Sequence, residues 1–449
     1  MKVSTSNINY AAKICVIENI VKHPNADNLQ LVAIDNETAI VNMSYKQGDL
    51  VIKFPLECTI NKEFLSYSNA FENKDLNSDP TVKGFFNKHG RVRAINLRGT
   101  FCGCYLHPLP QFNFFFNTDF NKSDVGLEFT HIDDTLICEK YIPSGKQKGK
   151  GAGLGKSSKA KNIDLIEDNQ FRFHWDTSHF GRNAHKISPE DIISVTYKKH
   201  GTSGISANLL LKRKLNLLER LLKYAGLKIQ DTQYGFVSAS RKVIKSVDQE
   251  SLSNNQHYYK EDVWGKVTEH LKPYIEPGIT LYYEIVGFTP SGGYIQDQYD
   301  YGFRRNEEDG VYCVNNKCHP VWTEGIHYGV YVYRITYTTP QGKVIEFDWS
   351  TVKEYCNKYR LKHVIELYHG KAKDYAPNSE EIISRIFKEI EKECYLCKNK
   401  VPTEGYVIRR ETNGVEAFKI KSELFRLYES KQLDTEQVNI EDQTEHDES

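Results

Sequence analysis

Short runs of alternating apolar and polar residues mark the N-terminal part of the chain, a pattern typical of strands with one buried face. Turn-forming stretches such as Pro24-Asn25-Ala26-Asp27 separate the runs. The runs cover residues 13–17, 29–34, 50–54 and 92–97. Short strands at this spacing predict a small β domain, and we expect them to form a barrel.

Strand-like and helix-like patterns follow one another from about residue 166 onwards. Leucines at helical spacing predict a helix over 209–224 with the leucines in the core, and a second helix is predicted over 379–393. The strand-like runs cover residues 192–197, 280–287, 329–335, 403–410 and 417–422. This mixture predicts a larger α+β unit.

Composition suggests where these units end. A Gly/Lys/Ser-rich run lies between residues 144 and 162 and is typical of a flexible linker, and the chain becomes polar and acidic after Leu427. We therefore predict four segments. They are a β domain (1–140), a linker (141–165), an α+β domain (166–427) and an acidic disordered tail (428–449).

Charge is balanced over the whole chain of 449 residues, with 59 Lys and Arg and 59 Asp and Glu, so any site for a polyanion must be local. Such an asymmetry exists between residues 198 and 245, where eleven Lys and Arg stand against Glu219 and Asp231. The sequence has no secretion signal and no apolar run long enough to span a bilayer, so we expect a cytoplasmic protein without a membrane partner.

The first candidate for chemistry is the stretch Lys198-Lys199-His200-Gly201, followed by Thr202 and Ser203. An amine beside a glycine can act as a nucleophile if cationic neighbours or burial release its proton, since the reference pKa of lysine is about 10.4. The alternative is a surface strand that ends in a polar turn. The stretch alone does not separate the two interpretations.

Further motifs follow in a fixed order. They are Ser240-Arg241, Glu284 with Gly287 three residues later, the aromatic run 331–335, Glu404-Gly405 and Lys419-Ile420-Lys421. In this order the motifs resemble those of the covalent nucleotidyltransferases, the family of ATP-dependent ligases and RNA capping enzymes. The closest resemblance is to nick-sealing RNA ligases with an oligonucleotide-binding (OB) domain before the catalytic domain, and it includes the lead-in segment 171–186.

The resemblance implies an α+β protein. We expect an N-terminal OB-like β-barrel and a C-terminal nucleotidyltransferase domain of ATP-grasp-like antiparallel sheets with flanking helices. It also implies that Lys198 attacks the α-phosphorus of ATP to form lysyl-AMP, with Lys419 and Lys421 lowering its pKa. Glu404 is the implied ligand of Mg²⁺ or Mn²⁺.

The same resemblance implies a set of nucleotide-binding residues. Glu284 is expected to accept hydrogen bonds from the ribose hydroxyls, Tyr333 to stack on adenine, and Arg241 to reach the sugar or a phosphate. For the stacking position, Tyr331 remains an alternative to Tyr333. The full set is Lys198, His200, Arg241, Glu284, Tyr333, Lys419 and Lys421.

The predicted function is that of an ATP-dependent RNA ligase for RNA repair, which seals 3′-hydroxyl/5′-phosphate breaks and has RNA and ATP as its partners. No protein partner is implied. DNA ligases and capping enzymes carry a further barrel after the last motif, and only 28 residues follow Lys421 here. Two alternatives stay open: a ligase that prefers DNA or single strands, and a non-catalytic OB-type RNA-binding protein.

Four of the ten cysteines form two closely spaced pairs, Cys313 with Cys318 and Cys394 with Cys397. Two such pairs can hold zinc in a tetrahedral site. The alternative is that they are reduced thiols in the core, which is common for free cysteine.

Overall fold

The coordinates are a computed structural model, and the fold is that of a mixed α/β protein with several antiparallel sheets. They describe residues 2–143, 165–248, 250–251, 259, 261–304, 311–314, 317–320 and 322–435. The predicted linker falls almost wholly outside these ranges. Among the helices of the described ranges, none has both the length and the apolar character needed to cross a bilayer.

The N-terminal unit, residues 2–143, contains short strands and two helices. The strands are β1 (Val3–Ser4), β2 (Ala12–Val16), β3 (Ile20–Lys22), β4 (Leu29–Ile34), β5 (Glu37–Asn42), β6 (Leu50–Pro55), β7 (Cys58–Ile60), β8 (Ile95–Leu97), β9 (Thr100–Cys102), β10 (Cys104–Pro108), β11 (Glu128–Phe129), β12 (His131–Ile132), β13 (Thr135–Leu136) and β14 (Cys138–Lys140). The helices are α1 (Lys62–Tyr67) and α2 (Leu109–Phe116).

These strands form five small open sheets. The largest has the order β10-β6-β2-β11, and a second joins β3, β4 and β5. None of the sheets closes on itself within the described residues, so the predicted OB-like barrel is not confirmed. The first three predicted strands correspond to β2, β4 and β6, whereas pairing in the fourth is confined to Ile95–Leu97.

The C-terminal unit contains two larger sheets. The strands are β15 (Ser178–His179), β16 (Ile192–Lys198), β17 (Thr202–Lys212), β18 (Thr232–Ser240), β19 (Ile244–Val247), β20 (Glu250–Ser251), β21 (Ile279–Gly287), β22 (Val311–Val314), β23 (Lys317–Pro320), β24 (Tyr328–Thr338), β25 (Val344–Glu346), β26 (Glu366–Lys371), β27 (Gly405–Arg410) and β28 (Glu416–Lys421). One sheet has the order β15-β28-β27-β16-β26 and the other β20-β19-β18-β17-β21-β24-β25.

Helices flank both sheets and bury one face each against them. They are α3 (Phe180–Asn183), α4 (Leu217–Tyr224), α5 (Val263–Leu271), α6 (Trp349–Tyr359), α7 (Ala372–Tyr375), α8 (Ser379–Ile390) and α9 (Glu423–Asp434). α8 buries Ile382, Ile386 and Ile390 in the core of the five-stranded sheet, and α5 buries Val263 and Trp264 in the core of the seven-stranded one. α4 is the exception.

The predicted helix over 209–224 is wrong in its first half. Leu209 and Leu211 lie in β17, where both pair with β18 on one side and Leu211 bridges to Ile166 on the other. Sheet pairing on both edges outweighs the helical spacing of the leucines. The helix starts after the capping residue Asn216, and its leucines are not in the core, since Leu217 is 80% exposed and Leu221 64%.

The predicted tail also starts too early. α9 begins after Ser422, whose hydroxyl accepts a hydrogen bond from the backbone N–H of Phe425, and it continues to Asp434. Its second half packs on the N-terminal unit, where Arg91 forms ion pairs with Glu57 and Asp434. These tertiary contacts stabilise a helix that composition alone does not predict. Residues 436–449 lie outside the described part.

Candidate active site

The stretch that contains Lys198 connects the two large sheets. β16 ends at Lys198 in the five-stranded sheet, and β17 begins at Thr202 in the seven-stranded one. Lys198 pairs with Gly405 of β27, so the neighbouring Glu404 lies beside it. The Nζ of Lys198 is 2.8 Å from Oε1 of Glu404. Strand register therefore brings the first and the fifth motif into contact.

Glu404 is a buried carboxylate, 4% exposed. Burial raises its pKa, but the charge of Lys198 and contacts with His200 outweigh burial and lower the pKa to about 2. The Nδ1 of His200 lies 3.6 Å from Oε2, beyond a good hydrogen bond, and no described residue donates one to this oxygen. Glu404 is therefore ionised and has an oxygen available for a cation.

Gly201 is held against Glu284. Its backbone N–H donates to Oε1 of Glu284 at 2.9 Å, and the hydroxyl of Ser203 donates to Oε2 at 3.4 Å. A Cβ at position 201 would lie 2.2 Å from the carbonyl oxygen of Ile285, which is a severe clash. The motif therefore needs glycine for close backbone approach, and Glu284 obtains the partners that a buried carboxylate requires.

A cavity of about 240 Å³ opens between the sheets, and Lys198 and Glu284 both line it. Tyr333 lines it as well, with its hydroxyl 3.5 Å from the Oγ of Ser203 and its ring packed edge-on against His174. Tyr331 instead has its ring centroid 4.3 Å from the Nζ of Lys199. Of these two tyrosines, Tyr333 is the one among the residues that line the cavity.

Lys419 and Lys421 project from β28, the strand next to β27. Burial and the charges of Lys421 and Arg241 lower the pKa of Lys419 to about 7. The Nζ of Lys421 lies 2.8 Å from both carboxylate oxygens of Glu429 in α9. Both lysines line the cavity, together with Glu429.

Arg241 is at the turn after β18 and pairs with Asp176 of the lead-in segment. Both side chains line the cavity. Within the basic run 198–245, the structure therefore separates two groups. Arg241 joins Lys198 and Lys199 at the cavity, whereas Lys223 pairs with Asp231 in the hairpin that contains α4.

These motifs correspond to a known family. The family model described as RNA ligase matches residues 194–421, which is half of the chain. The chain belongs to the RNA ligase family.

Solved structures support the same fold for this RNA ligase family member. Naegleria gruberi RNA ligase with PPi has a TM-score of 0.55 and 16% identity, over 94% of this chain and 98% of that one. A variant of the same ligase with ATP and Mn has a TM-score of 0.55 and 15% identity, over 95% of this chain and 99% of that one. No curated protein sequence matches the chain.

The structure of this RNA ligase family member also reveals cavity residues that motif spacing does not predict. Arg334 forms bidentate hydrogen bonds to Glu346, and its guanidinium lies 3.5 Å from the ring centroid of Trp175. Trp175 directly precedes Asp176 in the lead-in segment 171–186, so the sequence resemblance already pointed to this part of the chain. The N-terminal unit supplies a further wall, including Tyr10 and Glu37, for which the sequence offered no signal.

The cysteine pairs are only partly described. The Sγ atoms of Cys394 and Cys397 lie 3.2 Å apart. Cys313 and Cys318 are paired across β22 and β23, but their side chains lie outside the described part. Within the described residues no three His, Cys, Asp or Glu form a group that could hold a metal. The zinc site stays a prediction.

Proposed function

We propose that this RNA ligase family member is an ATP-dependent enzyme that seals 3′-hydroxyl/5′-phosphate nicks in RNA through a lysyl-AMP intermediate, an activity that serves RNA repair. The observation that carries the proposal is the convergence of Lys198, Glu404, Lys419 and Lys421 on one cavity. A nucleophilic amine, a carboxylate and two further cations are the groups that phosphoryl transfer from ATP requires.

In the first step, the neutral amine of Lys198 attacks the α-phosphorus of ATP, and the bond to pyrophosphate breaks. In this structure the carboxylate of Glu404 favours the charged form of Lys198. A cation bound to Glu404 would compete with this pairing, and the nearby charges of Lys419 and Lys421 would then help to release the proton and attract the phosphates. AMP then passes to the 5′-phosphate of the break, and the 3′-hydroxyl displaces it to form the phosphodiester. Each transfer is an in-line displacement in the same cavity.

Glu404 fits a divalent cation. It is ionised, it is buried, and its Oε2 receives no hydrogen bond from a described residue. Mg²⁺ and Mn²⁺ prefer such oxygen ligands. When bound there, the ion would neutralise charge on Glu404 and on the transferring phosphoryl group.

Nucleotide recognition is assigned to further residues that line the same cavity. Tyr333 stacks on adenine, and Glu284 accepts hydrogen bonds from the ribose hydroxyls. Arg241, now paired with Asp176, contacts the sugar or a phosphate through its planar guanidinium. His200 stays next to Glu404 and positions the loop. A variant of Naegleria gruberi RNA ligase, which has a similar fold, was solved with ATP and Mn, and this supports ATP and a divalent cation as the cofactors.

The N-terminal unit is proposed to bind the nucleic acid as an OB-like domain. Its residues Tyr10, Glu57 and Lys140 reach the cavity, so a strand held on this unit lies next to the nucleotide. The basic residues around Arg241 supply charge for the phosphate backbone.

Sealing assays on nicked duplexes test the proposal. Four substrates carry RNA or DNA on each side of the break, and a fifth carries single-stranded ends. We expect the fastest sealing when RNA flanks the nick and ATP is present. Faster sealing of DNA or of single strands would favour the alternative ligase, and RNA binding without any joining would favour a non-catalytic binding protein.

A further inference from the structure

We propose that Cys394 and Cys397 are a modification site, at which a small-molecule disulfide such as oxidised glutathione forms a reversible Cys394–Cys397 disulfide that slows adenylylation of Lys198. The disulfide itself is independent of the function proposed above, whereas its effect on activity rests on that function.

The geometry of the pair suits a disulfide. The backbone N–H of Cys397 donates to the carbonyl of Cys394 at 3.3 Å and closes a turn, which brings the two Sγ atoms to 3.2 Å. A disulfide has an S–S length of about 2.05 Å, so the sulfurs need to approach by about 1 Å. Cys394 is buried and Cys397 partly exposed, which gives an external disulfide access to one of the two.

The pair also contacts a neighbouring tyrosine. The thiol of Cys394 donates to Sγ of Cys397, and the hydroxyl of Tyr197 donates to Sγ of Cys394 at 3.3 Å. Cys397 is partly exposed, so an external disulfide can reach it. By contrast, burial raises the pKa of Cys356 to about 12. Because the thiolate is the reactive form, Cys356 serves as an inert control.

The alternative for this pair is a zinc site shared with Cys313 and Cys318, whose side chains lie outside the described part. Zinc and a disulfide give different results in the test below. In compartments that keep thiols reduced, disulfides that do form are commonly transient and regulatory. The Cys394–Cys397 pair is partly exposed and is connected to the segment of Lys198, so it fits this class of transient, regulatory disulfides.

The pair is connected to both partners of the Lys198–Glu404 contact. Tyr197, which donates to Cys394, immediately precedes Lys198 in β16. On the other side, the backbone N–H of Cys394 donates to the carbonyl of Val401 at 2.7 Å, three residues before Glu404. Shortening the distance between the two sulfurs therefore displaces the segments that carry Lys198 and Glu404. A misplacement of about 1 Å can cost about 10²-fold in rate.

The chemistry balances with one external disulfide. Cys397 loses its thiol proton to the solvent and its sulfur attacks a sulfur of the oxidised glutathione, which forms a mixed disulfide and releases one glutathione thiolate. The thiolate of Cys394 then attacks the sulfur of Cys397 and releases the second. The protein loses two protons and two electrons, and two molecules of glutathione are formed.

The test compares reduced and oxidised protein. The full chain is incubated with oxidised glutathione, its disulfides are mapped by mass spectrometry, and label transfer from α-labelled ATP is timed before and after reduction with dithiothreitol. We expect a Cys394–Cys397 disulfide and a labelling rate at least about tenfold lower, restored by dithiothreitol. Cys397→Ser should keep its labelling rate in oxidant, and Cys356→Ser should respond like the wild type.

Three results would overturn the inference. The first is an oxidised protein without the Cys394–Cys397 disulfide. The second is a protein that has the disulfide but labels at the reduced rate. The third is a pair that resists the oxidant until a chelator removes bound zinc. If the reduced protein takes up no label, the function proposed above fails and the regulatory role with it, while the mass spectrum still decides whether the disulfide forms.

Discussion

The Nζ of Lys198 lies 2.8 Å from Oε1 of Glu404, and the two residues stand at facing ends of adjacent strands. The register of β16 and β27 fixes this contact, since Lys198 pairs with Gly405. The residues are far apart in sequence, so the contact depends on the sheet. It gives the proposed nucleophile and the proposed metal ligand a common position in the cavity.

Replacing Glu404 by Gln should slow adenylylation strongly. The amide removes a buried negative charge, so it weakens cation binding and leaves Lys198 without its carboxylate partner. Loss of several kcal/mol of electrostatic stabilisation corresponds to about 10²- to 10³-fold in rate. The measurement is the rate of label transfer as a function of Mn²⁺ concentration. A variant with the rate and metal dependence of the wild type would contradict this role.

ATP binding should take up protons near pH 8. The pKa of Lys419 is about 7, so this lysine is mostly neutral at pH 8, and nearby phosphates favour its charged form and raise the pKa. Proton uptake means that the affinity for ATP falls as the pH rises above about 7. Calorimetry in buffers of different ionisation enthalpy measures the uptake. Lys419→Met should lose it, and an equal uptake in this variant would disprove the assignment.

Gly201→Ala should destabilise the protein and abolish label transfer. The new Cβ would lie 2.2 Å from the carbonyl of Ile285 and 2.9 Å from Cγ of Glu284. Overpacking of this kind costs about 1–3 kcal/mol, and it displaces the loop after Lys198. Urea unfolding and label transfer measure the two effects. Gly293→Ala is the matched control, because its Cβ would meet only the Thr289 hydroxyl, at 3.3 Å, and it should change little.

The sequence predicts much of the site because its motifs lie on strands. β21, β24, β27 and β28 agree with the predicted runs, and each motif residue occupies a strand or strand end. Short-range sequence patterns cannot predict which strands become neighbours. Only the structure therefore shows the contact of Lys198 with Glu404 and the wall formed by the N-terminal unit. The misassigned leucines at 209–211 show the same limit, because the pairing of β17 outweighs helical spacing.

Arg91→Ala should destabilise the junction between the units. Arg91 is 1% exposed and pairs with Glu57 at 2.6 Å and with Asp434 of α9. Removing one partner of a buried ion pair costs about 3–5 kcal/mol. Arg93→Ala is the control, because Arg93 is 3.7 Å from Asp434 and partly exposed, so it should cost under about 1 kcal/mol. Equal unfolding free energies of the two variants, measured in urea, would argue against a buried junction.

Transfer of label from α-labelled ATP to the protein tests the central claim most directly. The wild type should become covalently labelled, and Lys198→Ala should take up no label because the attacking amine is missing. Lys199→Met is the matched control. Its Nζ faces the rings of Tyr301 and Tyr331, so this variant should still be labelled at Lys198. A Lys198→Ala protein labelled as fully as the wild type would contradict the account.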